Sequence, residues 1–77
     1  MEAEQKYINL PEDGSEHIAT RAFMNAGRIY PKGTIFEVNE SSEDIITGGL
    51  RKSGEPAGIF SIFTLKRFNK IFTPTQA

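Results

Sequence analysis

The chain has 77 residues, 38% of them hydrophobic, with no cysteine, no tryptophan and one histidine, a size that holds one small domain and excludes a catalytic cleft between domains. With no cysteine there is neither a disulfide nor a thiolate site, so stability has to come from packing or from a partner. Nine basic against ten acidic residues give a net charge of −1, which lacks the strongly basic balance of most nucleic-acid-binding domains.

The opening Met-Glu-Ala-Glu-Gln-Lys has neither the basic start nor the apolar stretch of a secretory signal. A cytoplasmic protein is expected. Residues 1 to 5 and 73 to 77 are polar enough to read as flexible tails around a single domain from 6 to 72. Lys6 to Leu10 alternates and predicts a strand, closed by a Pro11-Glu12-Asp13-Gly14 turn. Residues 16 to 26 fit two patterns. Ser15 and Gly27 can bound a helix, yet His17, Ala19, Arg21 and Phe23 also alternate with Ile18, Thr20 and Ala22. A strand is favoured, because Asn25-Ala26-Gly27 can turn and Arg28-Ile29-Tyr30 can return as a hairpin. Pro31-Lys32-Gly33-Thr34 predicts a further tight turn before the strand Ile35 to Val38.

Asn39 to Ser42 can cap a two-turn helix at Glu43-Asp44-Ile45-Ile46-Thr47, with Gly48-Gly49 as its stop. Leu50 to Lys52 extends, Ser53-Gly54-Glu55-Pro56 turns, and Ala57 to Phe60 reads as a buried strand. From Ser61 the apolar spacing widens to three and four through Ile62, Leu65, Phe68 and Phe72. That predicts an amphipathic helix, or a helical turn followed by a strand from Phe68 to Phe72. Lys66, Arg67 and Lys70 interrupt this segment, far short of a bilayer span, so no membrane is expected as partner. The fold class is a β-rich small α+β domain with an antiparallel sheet and one or two short helices.

The charges are segregated along the chain. Residues 1 to 45 hold nine acids and four bases, whereas the remainder holds Glu55 as its one acid against Arg51, Lys52, Lys66, Arg67 and Lys70. Four of the six phenylalanines also lie between 60 and 72. A basic, aromatic C-terminal part of this kind suits a docking surface.

Catalytic chemistry finds little to use. A lone His17 makes no triad, and with Glu16 or Asp13 it only begins a zinc set. The pairs Glu12-Asp13 and Glu43-Asp44 are adjacent, so their carboxylates do not face one another. The stretch Gly48 to Gly54 contains Lys52-Ser53, but Arg51 precedes that pair where a phosphate loop needs glycine, and Gly54-Glu55-Pro56 follows in place of a helix. No catalytic residue, metal site or cofactor is assigned, and a non-enzymatic role is expected.

The segment Ile18 to Leu50, with Ala22-Phe23, Gly27-Arg28-Ile29-Tyr30, Lys32-Gly33, Phe36-Glu37-Val38 and Gly49-Leu50, resembles a module of small phage and prophage proteins. The resemblance implies a context among head and tail genes, including association with a virion, and no particular activity. Lys32-Gly33-Thr34 and Gly58-Ile59-Phe60 also resemble SH3-type barrels, which implies that the sheet curls into a barrel. The tryptophan of the peptide-binding SH3 groove is missing, so a proline-rich ligand is not expected. The expected function is a protein-binding or structural accessory module that docks on another protein or on itself. Its expected surface is Arg51, Lys52, Phe63, Lys66, Arg67, Phe68 and Lys70; a small nucleic-acid-binding regulator using the same segment is the alternative.

Overall fold

A computed structural model describes residues 10 to 74. The elements are β1 (Glu16–Ala19), β2 (Phe23–Asn25), β3 (Arg28–Tyr30), β4 (Ile35–Ser41), β5 (Ile45–Arg51), β6 (Ile59–Thr64), α1 (Leu65–Ile71) and β7 (Phe72–Pro74). Five strands form one antiparallel sheet in the order β6-β5-β4-β1-β7, and β2 and β3 form a separate hairpin. This is a β-rich α+β domain with one short helix.

Turn chemistry joins these strands as the residues require. Ala26 and Gly27 both take positive φ, 51° and 78°, the pair of values a two-residue hairpin needs to match strand twist. The Pro31 turn closes with the Thr34 amide and hydroxyl both donating to the Pro31 carbonyl. Residues 16 to 26 are thus two strands and not a helix. His17, Ala19 and Phe23 face inward, whereas Arg21, the fourth residue of that alternation, is exposed between β1 and β2.

Several expectations are corrected. The two-turn helix at 43 to 47 is absent: Ile45, Ile46 and Thr47 are β-branched, suit a pleated surface better than a helix, and open β5. Gly48 and Gly49 lie within that strand. Ala57 to Phe60 is not a buried strand, since β6 begins at Ile59 and both Ile59 and Phe60 are exposed. Ile62 belongs to β6 and not to the helix. Thr64 caps α1, its hydroxyl accepting the Arg67 amide at 3.2 Å. Phe68 to Ile71 are helix and not strand, so the last strand begins only at Phe72 and runs to Pro74, two residues beyond the expected domain edge. The strand expected from Lys6 to Leu10 lies outside the described residues except Leu10, which is in no strand, and so do the tails at 1 to 5 and 75 to 77.

The core is aromatic. Phe36 on β4 stands 5.2 to 5.7 Å, centroid to centroid, from the rings of Phe63, Phe68 and Phe72. The hairpin adds Phe23, stacked on Tyr30 at 5.2 Å and edge-on to Phe72 at 5.4 Å. Val38, Ile46, Leu50 and Ile71 fill the remainder. The helix carries Phe68 and Ile71 into this core.

Candidate functional site

The expected docking residues do not form one surface. Phe63 and Phe68 are 1% and 3% exposed and belong to the core, so neither can anchor a partner. On β6, Phe63 is an inward position, and on α1 Phe68 faces the sheet because its spacing from Leu65 and Ile71 follows the helical period. Arg51 and Lys52 are also far from α1. Ile45 on β5 pairs with Thr64 at the helix start, whereas Arg51 lies six residues further along the strand, about 20 Å away at the usual rise. There Arg51 is committed to Glu16 across the sheet at 2.7 Å.

Arg67 has a structural task. Its guanidinium donates to Asn25 Oδ1 at 3.1 Å and to the Met24 carbonyl, and it lies 5.1 Å above the Phe63 ring. These contacts tie α1 to the β2–β3 hairpin. Lys66 and Lys70 remain exposed on the helix, and the structure adds to them a residue that sequence reasoning had counted with the acidic part, Arg21. Together with Arg67 they surround a cleft of about 490 Å³ whose walls also include Ala22, Phe23 and Ile71. The signal for Arg21 was present as a run from His17 to Phe36 that contains Arg21, Arg28 and Lys32 and no acid.

A second surface was missed altogether. Along β6 the outward residues Phe60 and Ile62 are 65% and 54% exposed, and Ile45 on the neighbouring strand is 39% exposed. Register places Ile62 opposite Thr47 and Phe60 opposite Gly49, so the outer face around them is apolar or small. Among the described residues β6 pairs only with β5, leaving its other backbone edge open. The sequence carried the clue that β6 is apolar on both faces, which reads as burial unless the strand is known to lie at the sheet edge.

His17 makes the nearest approach to catalytic geometry, 2.9 Å from the Ser15 hydroxyl. Its polarity opposes nucleophilic catalysis. The one hydroxyl proton of Ser15 goes to the Glu12 carbonyl at 2.6 Å, so Nε2 of His17 donates to Ser15 and cannot withdraw its proton. Nδ1 is then a bare acceptor, buried with no partner among the described residues, and the ring meets Phe68 edge-on at 5.0 Å. Burial holds the imidazole below its ordinary pKa of 6.5.

This sets a sign for acid stability. A base whose folded pKa is depressed takes up its proton first in the unfolded chain, so stability falls as pH drops below 6.5 and the loss accumulates towards the lower folded value. Urea midpoints measured from neutral pH to just above the carboxylate range should decline for the parent, and His17→Gln should remove most of that slope. A parent midpoint that stays flat over the same range would contradict the buried, neutral imidazole.

Among the described residues no helix is long and apolar enough to cross a membrane, and no group of three His, Cys, Asp or Glu side chains is placed to hold a metal ion. In comparisons with known proteins, no family model, no curated protein and no solved structure matches this chain.

Proposed function

We propose that this chain is a non-enzymatic structural module that acts by protein contact, through the open edge of β6, and that the strand it receives there is β6 of a second copy. The observation that carries this reading is a six-residue edge strand, Ile59 to Thr64, with Phe60 and Ile62 exposed and no charge, proline or bulge within it. Sheet edges are normally blunted by such features because an unprotected edge recruits another strand.

Charge selects the second copy and its direction. No ionisable residue lies between Glu55 and Lys66. Antiparallel pairing brings the Glu55 end of one strand to the Lys66 end of the other, whereas parallel pairing would align like charges. A two-fold axis at Ser61 keeps inward and outward faces in step and sets Phe60 opposite Ile62 of the second copy, twice by symmetry. Aromatic against β-branched pairs of this kind add to the backbone hydrogen bonds.

The order β6-β5-β4-β1-β7, with a hairpin between β1 and β4 and a helical turn before the last strand, supports reading the fold as an SH3-like barrel. The likeness of residues 18 to 50 to small phage and prophage modules supports a role as an accessory piece in such a particle or its assembly. The nucleic-acid alternative has less support, because its two expected groups of bases lie apart and its two phenylalanines are buried.

Sedimentation should return a concentration-dependent mass approaching twice the 8.6 kDa of the chain, over a roughly hundredfold range of concentration. The double substitution Phe60→Lys and Ile62→Lys should give a folded monomer, since both side chains already face solvent. A parent chain that stays monomeric throughout, or a double variant that still dimerises, would refute strand pairing through β6.

A further inference from the structure

The cleft beside α1 has a chemistry separate from the β6 edge. Arg21 on one wall and Lys66, Arg67 and Lys70 on the other put four cations around one volume of about 490 Å³, and none of its lining residues is acidic. Asp44 lies by the helix start, where its carbonyl accepts the Leu65 amide, but it does not line the cleft. Among the described residues no carboxylate pairs with Arg21, Lys66 or Lys70. Such a concentration of like charge attracts a compact anion.

We infer that this cleft binds a small phosphate-bearing ligand of nucleotide size. A carboxylate offers two oxygens and a single charge, too few for the Arg21 fork and two ammonium groups, with Arg67 adding its charge from its place beside Asn25 and Met24. A terminal phosphate offers three acceptor oxygens and about −1.5 to −2, and a diphosphate more. The volume lies in the range of small-ligand sites, roughly 300–1,000 Å³, and Ala22 and Phe23 give it an apolar wall against which the ligand's uncharged part can rest. Arg67 is already fixed by Asn25 and Met24, so one of the four cations is positioned before any ligand arrives.

An extended nucleic-acid strand fits less well. Among the described residues no exposed aromatic side chain lines the cleft to stack bases. Outside it, Glu12, Asp13, Glu37, Glu40, Glu43, Asp44 and Glu55 are all exposed and would repel a continuing polyanion. The ligand class is therefore a compact one, with its charge concentrated at one end.

Calorimetric titration of the full chain with ADP, inorganic pyrophosphate and adenosine tests the inference. ADP and pyrophosphate should bind at one site per chain, and adenosine should not. Lys66→Gln with Lys70→Gln should weaken ADP by roughly tenfold or more while leaving the melting temperature unchanged, because both side chains are exposed and Arg67, which holds the hairpin, is kept. Absence of binding by both phosphates would overturn the site. So would binding that survives the double substitution. A single-stranded oligonucleotide that binds more tightly than ADP, with affinity rising with its length, would replace the small ligand with a nucleic-acid strand. The β6 variant Phe60→Lys with Ile62→Lys should bind ADP as the parent does, which separates this site from the dimer contact.

Discussion

Gly48→Ala should leave the isolated domain largely unfolded, although it adds one methyl group. A β-carbon built on Gly48 falls 2.2 Å from the Glu37 carbonyl oxygen and 2.9 Å from Phe36 Cζ. The first of these is backbone in the middle of the sheet and cannot rotate aside. Gly48 pairs with Val38 just before the ladder shifts register between Val38 and Glu40. Beside this irregularity the Glu37 carbonyl lies over Gly48 and leaves no room for a side chain. Overpacking usually costs about 1–3 kcal/mol when neighbours can yield; here strands must separate, and the cost should exceed that range. A domain of this length holds only about 4–12 kcal/mol at roughly 0.05–0.15 kcal/mol per residue. Gly49→Ala is the internal control, since its β-carbon would meet Gly58 at an ordinary 3.5 Å. Circular dichroism and urea unfolding should show Gly49→Ala folded and Gly48→Ala not. Equal midpoints for the two would mean that the close approach of β4 and β5 is absent in solution.

The same glycine explains where sequence reading stopped. Tight turns were legible because their chemistry is local: Gly14, Gly33 and Gly54 all adopt positive φ, and the Asn25-Ala26-Gly27 turn does the same. The Gly48-Gly49 pair resembles a helix stop for an equally local reason, with capping residues and acids ahead of it. Its actual role depends on a carbonyl eleven residues away in β4, which no local window contains. The candidate site failed in a similar way. Segregation of charge along the chain was real, but Arg21 reaches the basic cleft only through the path of the hairpin, and Arg51 leaves it because β5 runs away from α1. Phe60 and Phe63 have the same side chain three residues apart on one strand. Parity puts them on opposite faces, and only the neighbouring strands decide which face is covered.

That contrast yields a second large effect, with Phe36 and Phe60 as the pair to compare. Phe36 is 0% exposed and its ring is shared by Phe63 on β6, Phe68 on α1 and Phe72 on β7, so it joins three elements that make few direct backbone contacts with one another. Phe36→Ala should cost about 3–5 kcal/mol for the lost transfer energy and the cavity. The three ring contacts push the value towards the upper end, at about 0.5–1.5 kcal/mol for each geometry that does not re-form. Losses of that size take most of the stability of so small a domain. Phe60→Ala removes an equal volume from the surface and should change chain stability by no more than about 0.5 kcal/mol, yet it should weaken self-association because the ring opposite Ile62 of the second copy is gone. The two readouts have to be taken at one fixed protein concentration, since dimerisation stabilises the folded state by mass action. The expected pattern is a double dissociation: Phe36→Ala lowers the urea midpoint steeply, and Phe60→Ala shifts the monomer–dimer balance while the dilute monomer melts as the parent does. A Phe60→Ala monomer as unstable as Phe36→Ala would place Phe60 in the core, and β6 would then have no exposed apolar edge to offer a second copy.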